Sequence, residues 1–451
     1  MSGCTCGPHP IVDLTAAYLD YHKIRRHDDS LCVESTTLQC HEKIRQACRS
    51  HGCFHINIHL PNKEELNIGE DSSSPPIQCL AKPMVEVENE IESLFSPSFL
   101  QNNTDTDLNG GLVKVRIKDL PLSRFVEEAT FRGRTAESGD EQQSKPEPKL
   151  SWEFRRCLSA RTAESKGNND SHNVPTQDIK WNYLSNWTEA LHSVASVVIH
   201  SMDITQQVVL NEKSCNCLRK IMSDQKDETS SLGKCNVDLL RCFRYDAVPD
   251  EEKDDQLLGS SSHTDWGSLT VVWQDDVGGL QTYCHACEKW TDVATPERQN
   301  NNNNTTTSSN NNNTINLFVH VGDFLSLATH GQGMTHLPIW PSPRHRVICP
   351  TKKQPDQSES SQCRRSLVYF AYPPPNISLA AAQKVVEPLI CDDRYESFVM
   401  FQDYSLLHDQ SQQADQLLNG VNSTNFETYQ NMRLRPFGEV ISEKWDQVQR
   451  K

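Results

Sequence analysis

The chain has 451 residues, 36% of them hydrophobic, and a formal net charge of −16 from 60 acidic and 44 basic side chains. An acidic surface of this size repels phosphate backbones, so nucleic acid is not expected as a partner. A membrane-spanning helix needs about 18 consecutive apolar residues, and the sequence contains no such run. The low hydrophobic content predicts one elaborated core with long polar insertions.

The first twenty residues contain neither a basic start nor a long apolar run, so no signal peptide is predicted. The 17 cysteines are odd in number and irregularly spaced, which is typical of reduced thiols in a reducing compartment. We therefore expect a soluble cytoplasmic protein without a membrane partner. The sequence does not define an oligomeric state.

Predicted strands and helices alternate in the N-terminal half. The composition of Pro10–Leu14 and the alternation of Cys53–His59 indicate strands, the first followed by a turn. Helices are expected around His41–Ser50 and at Glu86–Leu94. From Trp181 to Met202 apolar residues recur every three or four positions, which predicts an amphipathic helix on the outside of a sheet.

Short strands separated by turns dominate from about Asn236 to Tyr372, and no helix is expected between them. This pattern predicts an antiparallel barrel or jelly roll. An insert of Asn, Thr and Ser at residues 300–313 is too polar to form a core. Beyond the barrel the chain is polar and helical, with a helix at Glu427–Trp445 expected against the core. The expected barrel strands are Asn236–Tyr245, Ser268–Trp273, Leu317–Val321 (followed by a turn at Gly322-Asp323), Arg346–Cys349 and Ser366–Tyr372.

A candidate metal site begins at His263 and Asp265. They lie two positions apart in an extended segment, so both side chains point to one side and can bind one ion. A third ligand would complete a site of two histidines and one carboxylate, which suits non-haem iron(II). His345 is favoured because it directly starts an apolar strand. The alternatives are His320, His330 and His336. His-x-Asp alone also fits a hydrogen-bonded turn that binds no metal.

A candidate carboxylate clamp lies downstream. Arg364 and Ser366 share one face of a predicted strand, and a guanidinium beside a hydroxyl suits a carboxylate. The alternative is a surface ion pair, but the strand is too apolar for an exposed edge. Tyr245 ends the strand before the His263 turn, where its phenol could reach a bound acid.

Two further features have simpler interpretations. The spacing of Cys284 and Cys287 fits half of a zinc site, which Cys215-x-Cys217 and Cys4-x-Cys6 could join, but no second pair lies at zinc-finger distance. A structural zinc is therefore not favoured. Trp266 lies beside the proposed metal carboxylate and could line a pocket, although packing within the barrel is preferred.

These segments together resemble the iron(II)- and 2-oxoglutarate-dependent dioxygenases of the plant-type group that includes isopenicillin N synthase. The resemblance implies a mainly β fold with flanking helices. It divides the chain into an N-terminal α/β region at 1–235, a double-stranded β-helix (jelly-roll or cupin-like) core at 236–375 and a helical extension at 376–451. The matching segments are IVDL, IRQACRSHGCFHINIH, KWNYLSNW, LRCFRY, GSSSHTDWGSLTVVWQDDVGGLQ, VGDFLSLATHGQ, SPRHRV and RRSLVYFAYP.

The resemblance also implies roles for the candidate residues. The implied cofactors are Fe(II), 2-oxoglutarate as cosubstrate and O2, with ascorbate as a candidate reductant. The implied iron ligands are His263, Asp265 and His345; Arg364 and Ser366 hold the distal carboxylate of 2-oxoglutarate, and Tyr245 contacts this cosubstrate.

The implied reaction oxidises, and usually hydroxylates, a small organic metabolite while 2-oxoglutarate is converted to succinate and CO2. Two alternatives remain. One is an oxidase that does not use 2-oxoglutarate, as in isopenicillin N synthase or aminocyclopropane-carboxylate oxidase, and the other is a non-catalytic binding module on the same fold. The separation of Asp265 from His345, 345 − 265 = 80 positions, is longer than usual in the family. The surplus falls between strands, where a long loop costs little closure entropy.

Overall fold

The computed structural model describes residues 8–24, 35–59, 84–96, 123–127, 132–133, 145–146, 149–155, 182–210, 218, 238–248, 257–284, 287–295, 314–329, 340–351, 363–386, 431–441 and 443. The insert at 300–313 and most of the extension at 376–451 lie outside these ranges. So do His330, His336 and the cysteines at 4, 6, 215 and 217.

Helices flank the sheets of the described chain. None of the described helices is both long and apolar enough to cross a membrane. Near the C-terminus, residues 431–434 and 437–441 are also helical. The principal helices are α1 (Thr15–Ile24), α2 (Ser35–Ser50), α3 (Met84–Leu94), α4 (Asn182–Leu210), α5 (Asp323–Ala328) and α6 (Leu379–Val386).

Strands dominate the part of the fold that carries the candidate site. The described strands are β1 (Ile11–Asp13), β2 (Cys53–His59), β3 (Ser123–Glu127), β4 (Arg132–Gly133), β5 (Lys145–Pro146), β6 (Lys149–Arg155), β7 (Leu239–Tyr245), β8 (Leu258–His263), β9 (Leu269–Gln274), β10 (Leu280–Cys284), β11 (Lys289–Asp292), β12 (Thr314–Val321), β13 (His345–Ile348) and β14 (Arg364–Ala371).

Two sheets form the core. The larger has the strand order β1-β2-β12-β9-β14-β7-β6-β3, and the smaller has the order β11-β10-β13-β8. Neighbouring strands are antiparallel in both, except that β1 and β2 are parallel. The connections cross repeatedly between the sheets, as in a jelly roll. The mainly β fold with flanking helices is therefore confirmed.

Strand β9 separates the barrel interior from the helical layer. All six of its residues are buried, so both of its faces pack against protein. Val272 packs inside the barrel against Phe243 and Val347, which come from opposite sheets. Its neighbour Trp273 faces the other way, with its ring centroid 6.3 Å from that of Trp187 in α4. Alternate side chains of β9 therefore pack into two different cores, one inside the barrel and one beneath the helices.

The predicted amphipathic helix at 181–202 is confirmed as α4, which extends to Leu210 and packs on the outer face of the larger sheet. Its apolar residues Leu184, Leu191 and Val198 are at most 1% exposed. Burying each such side chain contributes about 1.5–3 kcal/mol to folding.

The expectation of a barrel without internal helices is wrong. Helix α5 begins where a turn was predicted at Gly322-Asp323, and all six of its residues are buried. A fully buried short helix has no amphipathic period, so hydrophobic spacing does not reveal it. Similarly, α1 occupies the position of the turn predicted after the first strand, where Asp13 accepts a hydrogen bond from the Thr15 amide.

At the C-terminus, Phe437, Val440 and Ile441 pack into the core, in agreement with the expected return of this segment. The helix predicted at Glu427–Trp445 is interrupted at residues 435–436 in the described part.

Candidate metal centre

His263, Asp265 and His345 meet at one end of the barrel. His263 ends β8, His345 begins β13, and the two are directly paired in register. Both Nε2 atoms approach the same oxygen of Asp265, Oδ1, at 3.7 Å for His263 and 3.6 Å for His345. One ligand atom from each residue lies within 4.8 Å of the others. Two imidazoles and a carboxylate at this spacing can hold one metal ion.

The second oxygen of Asp265 has separate partners. The Thr270 hydroxyl donates to Oδ2 over 2.5 Å, and His320 Nε2 lies 3.4 Å from the same atom. Thr270 and His320 are neighbours on β9 and β12. The carboxylate is thereby oriented, with Oδ1 toward the two candidate ligands and Oδ2 toward the wall of the larger sheet.

Helix α5 supports the turn that carries Asp265. The amide of Asp323 donates to the Asp265 carbonyl over 2.7 Å, and the Asp323 carboxylate accepts from the Thr264 hydroxyl over 2.9 Å. The preceding Gly322 leaves no room for a side chain, because a Cβ there would lie 2.2 Å from the carbonyl oxygen of Gly267. The backbone of this turn is therefore packed directly against the start of α5.

Backbone carbonyls orient both imidazoles. Nδ1 of His263 lies 2.6 Å from the Ser261 carbonyl oxygen, and Nδ1 of His345 lies 3.1 Å from that of Pro343. Since a carbonyl oxygen only accepts, Nδ1 carries the proton in each ring. Nε2 is then the basic nitrogen, which is the form that binds a metal.

The cluster keeps its carboxylate ionised. Burial disfavours the charge on Asp265, but nearby His345 and His320 outweigh it and hold the pKa below the ordinary range. Burial likewise opposes the charged form of His345, yet the Asp265 carboxylate raises its pKa. Burial and then His345 lower the pKa of His320 to about 3, so this imidazole is neutral at physiological pH.

His263 is the most accessible member, with a side chain 41% exposed. The pKa of His263 is lowered to about 4, first by desolvation and then by His345. The centroids of the two imidazole rings are 4.3 Å apart. The Lys149 ammonium acts in the same direction, while Asp265 opposes it. The partial exposure of His263 moderates its desolvation, and the close His345 ring also lowers its pKa. A neutral His263 suits metal binding.

The predicted clamp lies on the inner face of β14. Arg364 is 1% exposed, and it donates to the Ser366 hydroxyl over 3.2 Å and to the side-chain oxygen of Gln274 over 3.1 Å. Its guanidinium lies 4.8 Å from the centroid of Tyr245, its register partner on β7. Arg364 is therefore buried among polar groups, in contrast to the alternative of a surface ion pair.

A second carboxylate lies near the clamp. Asp275 accepts a hydrogen bond from the Arg365 amide over 2.6 Å. Burial raises its pKa to about 6, although Arg364 acts in the opposite direction.

The alternative predictions have different outcomes. Among the described residues, His263, Asp265 and His345 are the one group of three that could hold a metal ion. His320 lies beside this group, on the other oxygen of Asp265. Cys284 and Cys287 form no disulfide within the described residues, and Trp266 packs partly buried against the larger core. The role of Thr270 was not predicted from the sequence. Its place as the second residue of β9, the strand that follows Asp265, could have indicated that its hydroxyl lies near this carboxylate.

Comparison with known proteins identifies the core. Residues 236–373 match the model of the 2OG-Fe(II) oxygenase superfamily. The division of the chain into regions at 235/236 and 375/376 stays a prediction. The 2-oxoglutarate-dependent dioxygenase frbA of Dothideomycetidae sp. (strain 11243) is 29% identical over 165 residues, 36% of this chain and 42% of that protein. The 1-aminocyclopropane-1-carboxylate oxidase of Dictyostelium discoideum is 50% identical over 47 residues, 10% of this chain and 13% of that protein. The chain therefore spans less than half the length of either relative.

Among solved structures, the dioxygenase for auxin oxidation from rice has a TM-score of 0.42 and 16% identity. The match covers 86% of this chain and 88% of that chain.

Proposed function

Since the chain belongs, through residues 236–373, to the 2OG-Fe(II) oxygenase superfamily, we propose that it hydroxylates a small organic metabolite with Fe(II), O2 and 2-oxoglutarate. The reaction would convert 2-oxoglutarate to succinate and CO2, with ascorbate as a candidate reductant. The observation that carries the proposal is the convergence of His263, Asp265 and His345 within 4.8 Å of one another.

The donor set fits iron(II). Two imidazoles whose Nε2 atoms face the metal position and one ionised carboxylate are the ligands that non-haem iron takes in oxygen-using enzymes. His263, Asp265 and His345 would hold the metal, which supplies the redox chemistry with O2 when bound. Thr270 and His320 keep the Asp265 carboxylate in place.

The protein's other contribution is to orient the cosubstrate. Arg364 and Ser366 offer two adjacent donors on the inner face of β14, which suits the distal carboxylate of 2-oxoglutarate. The Tyr245 ring beside Arg364 adds a phenol to the same region. The inner cluster of Phe243, Val272 and other apolar side chains excludes water from the space between the sheets.

The direct test measures oxygen uptake and succinate formation by the Fe(II)-loaded protein with 2-oxoglutarate. We expect succinate to form in proportion to oxygen consumed, and His345→Ala to abolish both metal binding and turnover. Failure of the folded wild-type protein to bind Fe(II) would favour a non-catalytic module. If His336→Ala removes the metal and His345→Ala does not, the third ligand is wrong.

The short match to an aminocyclopropane-carboxylate oxidase favours one alternative, an oxidase that does not use 2-oxoglutarate. In that case Arg364 and Ser366 would hold a carboxylate of the substrate or of another cofactor. Oxygen consumption at full rate without 2-oxoglutarate would establish this alternative and exclude the first.

We also infer that the protein works in the cytoplasm on a small-molecule substrate, without a nucleic-acid or membrane partner. The eight described cysteines form no disulfides with one another, which supports a reducing compartment. The net charge of −16 opposes binding to phosphate backbones.

A further inference from the structure

One side chain bridges the two strands that carry the candidate histidine ligands. Arg344 comes directly before His345, and Ser262 comes directly before His263. The Nε and Nη2 atoms of Arg344 both donate to the Ser262 hydroxyl, over 3.1 Å and 2.9 Å. The residues that precede the two ligands are therefore joined by a charge-assisted contact.

Strand β8 is irregular where it carries His263. It lies at one end of the strand order of the smaller sheet, next to β13. Between the paired residues His263 and Ser260, β8 has two residues where β13 has one, and the register shifts again before Ile348. A bulge of this kind leaves the extra residue out of the ladder and bends the strand. Backbone pairing by itself therefore holds His263 less firmly than a regular ladder would.

Arg344 is itself firmly placed against the rest of the smaller sheet. Its carbonyl accepts a hydrogen bond from the Tyr283 amide of β10 over 2.8 Å, and its guanidinium lies 5.5 Å from the centroid of the Tyr283 ring. The Tyr283 ring lies 5.1 Å from that of Trp290 on β11, and the Arg346 guanidinium lies 4.2 Å from the Trp290 centroid. Arginine and aromatic side chains thus alternate along this face and fix Arg344 from β10 and β11.

His263 is the ligand that depends most on its own strand. Its side chain is 41% exposed, whereas those of Asp265 and His345 are each 7% exposed. The carbonyl that orients its Nδ1 belongs to Ser261, which lies in the same bulge as Ser262. A shift of this bulge would therefore move both the His263 ring and the group that orients it.

We propose that Arg344 is a positioning residue of the metal centre, which holds the end of β8 through Ser262 so that His263 faces the metal position beside His345. The inference rests on the proposed function, because it takes His263, Asp265 and His345 as the metal ligands. It assigns Arg344 a role in metal affinity without direct contact with the metal.

The test measures Co(II) binding to the full-length protein by competition with a fluorescent chelator. The visible absorption bands of the bound Co(II) are recorded as well, because they respond to the geometry of its ligands. Arg344→Met removes the donors, and Ser262→Ala removes the acceptor. Outer-shell contacts typically change metal affinity about 10- to 100-fold, and this one acts through the backbone, so we expect each variant to bind Co(II) about 5- to 10-fold more weakly, with shifted bands.

Two comparisons separate positioning from general packing. The double variant should lose no more affinity than either single variant, because both substitutions break the same contact. Ser262→Thr keeps the hydroxyl and should bind Co(II) like the wild type. Urea unfolding verifies that each variant is folded, and if Arg344→Met does not fold, the comparison of Ser262→Ala with Ser262→Thr decides.

Wild-type affinity and absorption bands in folded Ser262→Ala would overturn the proposal. Additive losses in the double variant, or an equal loss in Ser262→Thr, would do the same. Wild-type protein that binds no Co(II) would overturn both this inference and the proposed function. Fe(II)-loaded protein that forms no succinate with 2-oxoglutarate would overturn the proposed function alone, since the Co(II) measurements need no turnover.

Discussion

Thr270→Val tests whether the metal centre depends on holding the second oxygen of Asp265. The substitution keeps the shape of the side chain and removes the hydroxyl that donates to Oδ2 over 2.5 Å. A hydrogen bond to an ionised group contributes about 1.5–3 kcal/mol. Because about 1.4 kcal/mol corresponds to tenfold in affinity, the expected loss is about 10- to 100-fold in metal affinity.

The assay is an anaerobic competition titration of Fe(II) or Co(II) against a fluorescent chelator. Thr270→Ser keeps the donor and should bind metal like the wild type, which separates the hydrogen bond from packing. His320→Gln should cost less, since its contact with Oδ2 is longer at 3.4 Å. Wild-type metal affinity in folded Thr270→Val would refute the argument that Oδ2 needs this donor.

Three further substitutions test the clamp, a buried carboxylate and the helical layer. Arg364→Met should raise the KM for 2-oxoglutarate about 100-fold, measured by succinate formation, because a charge-assisted clamp is lost; an unchanged KM would contradict the assigned role. Burial raises the pKa of Asp275 to about 6, because the folded protein favours the neutral carboxyl. The fold is therefore most stable with respect to this group below about pH 4, and that stability is lost as the pH rises through 6. Asp275→Asn should therefore become more stable than wild type over this window, by up to roughly 3 kcal/mol in urea unfolding, and a pH-independent difference would count against it. Trp187→Ala, which empties the contact between α4 and β9, should lower the free energy of unfolding by about 3–5 kcal/mol; a loss below about 1 kcal/mol would mean that the helix contributes little to the core.

Local patterns were sufficient where burial follows a simple period. The three- and four-residue spacing from Leu184 to Val198 predicted α4, and alternation predicted β2. Strand β8 was missed because Leu258–His263 is rich in glycine and serine, which have low strand propensity. Its order comes from neighbours, including the pairing with β13 and the contact of Ser260 with Lys149.

In the candidate site, too, local spacing predicted some of the residues. His263 and Asp265 were recognisable because their spacing alone puts both side chains on one side of an extended chain. Arg364 and Ser366 were recognisable for the same reason, and the structure has both on the buried inner face of β14. Their assignment as metal ligands and carboxylate clamp stays a prediction for the titrations above to test.

The sequence by itself determined the residue types, their order and the short-range spacing that points to a two-histidine, one-carboxylate site. Only the tertiary structure decided which distant groups meet. His345 pairs with His263 across the long insertion, His320 and Thr270 hold Asp265 from the opposite sheet, and Lys149 reaches β8. The physical reason is that strand register and the facing of two sheets are set by packing over the whole core, whereas periodicity reports only which face of each strand is buried.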